Sequence, residues 1–309
     1  MSHGNSGSSG KRMINHSDVP KQPNDAEQQA AKPKRSRRTR GLMRVVRFVG
    51  VAYLLVLLLM VTMESRLVYP GAYIAMEPPS DALMTEQIEY LSTDGNRLKG
   101  RLLTREGPAN YLLFMHGNYS KAQWLDEWAA RLGEAFDATV LLAEYRGYED
   151  DLTPTEAGII EDCEAARKYL CDKFGLRKSD IILYGRSLGG GCAVALAANG
   201  GAKALVLERT FDQLVGVASR QYPWAPVRLL MQNRFDSIGR MAAYTGPLVI
   251  LHGTSDRLVP VECARRMHQA ANGQHKLLIE VAGMKHNGSL PEQYLRQTVN
   301  TLTAFTSQQ

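Results

Sequence analysis

Three side chains spread over residues 187–286 have the chemistry to break an acyl bond. Ser187 stands in Gly185-Arg186-Ser187-Leu188-Gly189, between the apolar run IILY (181–184) and an Ala- and Gly-rich stretch, 188–199. A strand that turns sharply into a helix lifts such a serine out with its hydroxyl exposed, and the glycines make room for the turn. The pentapeptide alone is a weak signal, and its place between strand and helix makes it informative. A serine opening an ordinary helix is the plain alternative. Phosphate cradles are excluded, because no Lys-Ser/Thr follows and G-x-G-x-x-G is absent. A serine hydroxyl is a poor nucleophile until a base takes its proton. Of seven histidines, His3 and His16 lie in a polar tail, and His268 and His275 fall in or beside a helix. His116 and His252 end apolar runs just before glycines and read as packed structural residues. His286 follows the last apolar run, in Gly283-Met284-Lys285-His286-Asn287-Gly288, and is the favoured base. Asp256, just past PLVILHG (247–253), is its orienting acid, which gives the chain order Ser, Asp, His. Asp212 is a rival acid that helix capping explains better. The N–H groups of Leu188 and of Asn118, after YLLFM (111–115), are placed to hold a developing oxyanion.

These positions need strand ends to carry them. IEYLS (88–92), Asp94-Gly95-Asn96 and RLKGRLL (97–103) read as an antiparallel hairpin. YLLFM, TVLLAEY (139–145), IILY, ALVLE (204–208), PLVILHG and KLLIEVAG (276–283) are short apolar runs, as strands buried on both faces should be. Helical patterns alternate with them. One covers 121–135, and another opens at the capping-box sequence Thr153-Pro154-Thr155-Glu156, with Pro154 at its first position, and runs to Gly175. This alternation predicts one α/β domain over 85–309, a mostly parallel sheet with helices on both faces. Ligands of such sheets bind at the carboxyl ends of the strands, where the reactive residues fall.

The net charge of +6 is not a nucleic-acid signature, because it is local. Residues 1–47 hold eleven Lys/Arg against three Asp/Glu, whereas 48–309 hold 26 against 28. The tail, 1–42, has too little apolar surface to offset its ordering entropy and is expected to be disordered. FVGVAYLLVLLLMVTM (48–63) then runs sixteen residues without a charge, about 24 Å of helix. No small-residue cleavage site follows it, and the flanks of Ser36-Arg37-Arg38 fit twin-arginine export poorly. A transmembrane signal anchor over 43–65 is therefore expected, with the basic tail cytoplasmic and the catalytic domain outside, beyond a connector at 66–84. The four cysteines show no metal spacing, and Cys163 and Cys171 lie too far apart on one helix for a disulfide. Two glycosylation sequons, at Asn118 and Asn287, fall beside the candidate site, where a glycan would obstruct it. That favours a periplasm over a secretory lumen.

HGN (116–118), YRGY (145–148), GRSLGG (185–190), ERTF (208–211), HGTSDRLVP (252–260) and GMKHNG (283–288) occur in that order. Together they resemble the alpha/beta-hydrolase superfamily, over about 85–305. Within it the set is similar to the small-lid branch of serine-aminopeptidase-like and lysophospholipase-like hydrolases, with protein-depalmitoylating thioesterases nearby. The resemblance implies a Ser187–His286–Asp256 triad, an oxyanion hole from Asn118 and Leu188, and no metal or organic cofactor. It departs after YRGY, where Glu149-Asp150-Asp151 replaces small residues, a solvated loop or an acidic rim. The segment 210–245 is where such folds carry a lid, read here as one or two short helices. With Tyr119, its residues Tyr222, Trp224 and Leu229 either line an acyl groove or simply pack on the sheet. The expected activity is hydrolysis of a small-molecule or lipid carboxylic ester or thioester. A peptidase or amidase with the same triad, and a non-catalytic binding module on the same fold, are the alternatives.

Overall fold

The computed structural model describes residues 37–74 and 84–307, so most of the tail and the middle of the connector lie outside the described residues. The chain forms two compact units that divide between Tyr53 and Leu54, inside the first helix, α1 (Arg37–Thr62). The described part of the first unit is helix alone. With 26 residues, α1 is about 39 Å long, and it is apolar enough to cross a membrane. None of its residues is buried in protein. It starts within the stretch expected to be disordered, because Arg37-Arg38-Thr39-Arg40 contains nothing that breaks a helix.

In the second unit, α2 (Glu64–Val68) follows α1 after a break at Met63. An eight-stranded sheet comes next: β1 (Glu86–Leu91), β2 (Arg97–Leu103), β3 (Asn110–Met115), β4 (Ala138–Ala143), β5 (Ile181–Arg186), β6 (Ala204–Glu208), β7 (Leu248–Gly253) and β8 (Lys276–Val281). Its order is β1-β2-β4-β3-β5-β6-β7-β8. The β1–β2 hairpin pairs antiparallel, β2 joins β4 antiparallel, and the rest is parallel. Alternate residues of the central strands enter two different cores. Leu113, Met115, Leu183, Leu207 and Ile250 pack on one face, and Leu112, Phe114, Tyr184, Val206 and Val249 on the other. Both faces are dry, which is why these strands read as unbroken apolar runs.

The first core is covered by α4 (Glu156–Phe174), α5 (Leu188–Ala198) and α9 (Val261–Ala270), and the second by α3 (Asp126–Ala135) and α10 (Glu292–Thr306). The expected helix at 121–135 is a short 3-10 turn, Ala122–Trp124, followed by α3. The start of α4 lies two residues later than the capping-box pattern suggests. Thr155 is the cap, accepting from Gly158 N, and Pro154 stays outside. The Glu156 carboxylate is instead taken by the amides of Arg234 and Phe235 and by Arg240. The 210–245 segment holds three short helices, not one or two: α6 (Leu214–Gln221), α7 (Val227–Leu230) and α8 (Ser237–Met241). All four cysteines are free.

Candidate active site

The β5–α5 turn is a crowded crossing of backbones. A Cβ on Gly185 would strike the Gly189 carbonyl, one on Gly189 the Met115 carbonyl, and one on Gly190 the Thr210 side chain. Glycine at these positions lets α5 start against β3 and β6. The turn forces Ser187 to φ +52°, ψ −114°, a strained geometry for a residue with a Cβ. It is held there on both sides: Ser187 N donates to Glu208 O (2.9 Å), and Thr210 Oγ1 donates to Ser187 O (2.7 Å).

The Ser187 hydroxyl lies 3.0 Å from His286 Nε2, and His286 Nδ1 lies 2.7 Å from Asp256 Oδ2. The other Asp256 oxygen, Oδ1, accepts from Leu258 N (3.0 Å) and Val259 N (2.9 Å). Burial opposes ionisation of Asp256. The hydrogen bonds from His286 and from the Val259 amide outweigh it and hold the carboxyl below its usual range. An ionised carboxylate only accepts, so His286 carries its proton on Nδ1 and offers the Nε2 lone pair to the serine. The Asp256 side chain is fully buried while His286 is 14% exposed, so the imidazole alone of the pair reaches the cleft.

The loop after β8 that carries His286 is tied from below. Arg209 donates to the carbonyls of Lys285 and Gly288, and its guanidinium pairs with Glu208. Glu208, fully buried, also accepts from Tyr184 Oη (2.8 Å) and Arg186 (3.3 Å). Burial would raise its pKa, but the two arginines and these hydrogen bonds bring it below the usual carboxylate range. Arg186 lies over the Trp128 ring, 4.3 Å from its centroid.

Asn118 comes to the same place from the end of β3. Its carbonyl accepts from Gly71 N (3.0 Å) and Tyr148 Oη (3.1 Å), and its side-chain amide donates to Val68 O (3.1 Å). Among the described residues, neither the Asn118 nor the Leu188 main-chain N–H has an intramolecular acceptor. Asn118, Ser187 and Leu188 line one cleft together, so two unused donors flank the serine.

The other histidines and acids fall elsewhere. His116 is buried against Glu144 (2.9 Å) and the Tyr145 ring. His252 is buried and donates from Nε2 to Val259 O (2.8 Å); burial lowers its pKa and keeps it neutral. It also stands 3.5 Å from Asp256 Oδ2, a contact that strand-end position alone does not reveal. Asp212 pairs with Arg266 (2.7 Å) rather than capping α6, whose cap position is Gln213. In the Glu149-Asp150-Asp151 loop, Asp150 closes a turn onto Gly147 N and Leu152 N, and none of the three lines the groove.

Ser187 opens into a groove of about 710 Å³, walled by Tyr119, Tyr222, His286 and four arginines: Arg66, Arg131, Arg186 and Arg209. Both sequons, Asn118-Tyr119-Ser120 and Asn287-Gly288-Ser289, are on its wall. Trp224 and Leu229 are not. Leu229 is 85% exposed on the outer side of α7, and Trp224 stacks edge-on against Tyr222, half-exposed. Their places in the cavities are taken by Leu214, Val217 and Ala218 of α6 and by Met231. The larger omission is the connector. Leu67, Val68 and Pro70 line the cavities beside Ser187. Glu64 accepts from Gln232 N (3.0 Å), Asn233 N (2.8 Å) and Asn233 Nδ2 (2.7 Å), which fastens α2 to the lid. The apolar triplet Leu67-Val68-Tyr69, four residues beyond the end of the uncharged run, was the available signal.

No protein-family model matches the chain. It is similar to the Mycobacterium tuberculosis protein Rv2307c, uncharacterised, at 31% identity over 247 residues, covering 79% of this chain and 87% of that one. It is similar to human alpha/beta hydrolase domain-containing protein 17B at 29% identity over 170 residues, 54% of this chain and 58% of that one. Among solved structures, the esterase Pf2001 of Pyrococcus furiosus superposes with a TM-score of 0.60 at 18% identity, over 75% of this chain and 97% of that one.

Proposed function

The chain belongs to the alpha/beta-hydrolase superfamily, and we propose that within it this protein is a membrane-anchored serine hydrolase that cleaves carboxylic esters or thioesters. The observation that carries the reading is the unbroken hydrogen-bond relay from Ser187 through His286 to Asp256, beside two unused backbone donors.

The chemistry follows from the protonation states. Ser187 Oγ attacks the substrate carbonyl carbon as its proton passes to His286 Nε2. Asp256 keeps the second imidazole proton on Nδ1 and stabilises the imidazolium. The carbonyl π pair moves onto oxygen, and the Leu188 and Asn118 amides, free to donate, take up that charge. The bond to the leaving oxygen or sulfur breaks, and Nε2 delivers its proton there. Water then attacks the acyl-serine with His286 again as base, and Ser187 recovers its proton as the acid leaves. No step calls for a metal, an organic cofactor or a nucleic-acid partner. The arginine-rich groove suits the polar leaving group. In α1, the length, the apolar run and the arginines before it support a single-pass anchor with the tail cytoplasmic. The catalytic unit would then lie outside, in a periplasm.

Fluorophosphonate labelling of the membrane fraction tests the assignment, with wild type beside Ser187→Ala and His286→Ala. Labelling of wild type alone is expected. Folded wild type that resists the probe, or Ser187→Ala that still takes it, would overturn the reading.

A further inference from the structure

A second, smaller cleft of about 90 Å³ adjoins the lid. Its walls include Met60 and Val61 of the last turn of α1, Leu67 of α2, Ala218 of α6, and Leu230 of α7. Glu64 is the one charged residue on the lining, and its carboxylate is already committed to the Gln232 and Asn233 amides. Nothing in the lining favours a polar guest, and an apolar cleft left to water is costly.

The cleft adjoins the cavity of the nucleophile. It shares Leu67, Val68, Ala218, Tyr222 and Met231 with a middle cavity, and that cavity reaches Ser187, Leu188 and Asn118. The route therefore runs from the reacting carbonyl, between α2 and α6, to the end of the helix that is long and apolar enough to span a bilayer. Met60 and Val61 belong to the uncharged run that ends at Met63, so this mouth opens where hydrocarbon gives way to headgroups.

We propose that this cleft is an acyl-chain channel, in which the hydrocarbon tail of a membrane-resident ester or thioester lies while its carbonyl sits at Ser187. The inference rests on the serine-hydrolase reading and adds to it the substrate class and the entry side. The last turn of α1 and α2 thereby form part of the binding site as well as joining it to the anchor. The tail stays in an apolar environment from bilayer to nucleophile, and the leaving group is released into the arginine-lined groove. Each methylene that enters the cleft is worth about 0.8 kcal/mol, close to a fourfold gain in kcat/KM.

The test uses full-length protein in detergent micelles and a series of p-nitrophenyl esters from acetyl to palmitoyl. Wild type should gain about fourfold per methylene over the middle of the series and then level off. Ala218→Trp, at the junction of the two cavities, should abolish that gain. Ala225→Trp, which lines only the outer cleft, should shorten the chain length at which the gain stops. Wild-type labelling rates with ethyl and hexadecyl fluorophosphonates repeat the comparison without any variant. Ester turnover and labelling that do not depend on chain length would overturn the channel and leave the hydrolase standing. Wild type that neither turns over any ester nor takes any fluorophosphonate would overturn both.

Discussion

Replacing Asp256 with asparagine separates the orienting role of this residue from its structural one. Two fixed donors, Leu258 N and Val259 N, face Oδ1, and His286 faces Oδ2. An asparagine in this site has one oxygen to share between the two sides. Turning it toward His286 would press the NH2 group against two main-chain N–H groups that cannot change polarity. Leaving both unsatisfied costs about 2–6 kcal/mol, at 1–3 for each. Turning it the other way requires only that His286 move its proton from Nδ1 to Nε2. The second arrangement wins, and His286 then presents an N–H to Ser187 instead of a lone pair. A base held in the wrong tautomer costs about 10⁴-fold in kcat, roughly 5 kcal/mol of barrier. Stability should barely change, because both backbone hydrogen bonds survive. Asp256→Ala is the contrast: it loses the same activity, but it also strands both amides and should unfold at lower urea. The assays are turnover of a chromogenic ester at pH 7, fluorophosphonate labelling rate, and the urea midpoint. An Asp256→Asn variant within tenfold of wild-type turnover would refute the argument, as would one destabilised as much as Asp256→Ala.

The strained turn should show in stability. Ser187→Gly relieves about 1–3 kcal/mol of backbone strain against about 0.5–1 of added chain entropy, so it should be roughly 1 kcal/mol more stable than Ser187→Ala by urea titration; the reverse order would mean that the turn stores no strain. Gly190→Ala puts a methyl into the Thr210 side chain, which anchors Ser187 O, so it should cost about 1–3 kcal/mol and slow labelling at least tenfold; a neutral substitution would show that the crossing is loosely packed. Glu208 has a folded-state pKa below its unfolded value, so its stabilisation is present above about pH 4.5 and is lost as pH falls through the folded value. Glu208→Gln should therefore cost about 3 kcal/mol at pH 7, where Arg186 and Arg209 lose their shared carboxylate, and should flatten the acid limb of stability against pH; an unchanged acid limb would show that another group sets it.

Much of this protein could be read without a fold. Runs such as YLLFM and IILY carry apolar residues at successive positions, and only a strand covered on both faces uses all of them, so a parallel sheet between helix layers follows from local pattern. Ser187, Asp256 and His286 could be picked out because each stands one to five residues past a strand, and strand ends in such a sheet converge on one edge. Charge separation within the chain marked the candidate span for the same local reason: sixteen uncharged residues beside a block of arginines need no partner to be recognised. Tertiary structure alone decided the rest. Trp224 and Leu229 are as apolar as Val217 and Met231, and only the angle of α6 and α7 over the sheet sends the first pair outward and the second pair inward. Asp212 and Asp256 both follow strands, but the partner that reaches across, Arg266 or His286, sets their roles. The segment 64–73 looks like a linker because its partners, Asn118 and Asn233, are 47 and 169 residues away from Gly71 and Glu64. Contacts at that separation leave no period in the sequence. They exist only once the sheet has brought the 210–245 segment and the Asn118 loop to the end of α1.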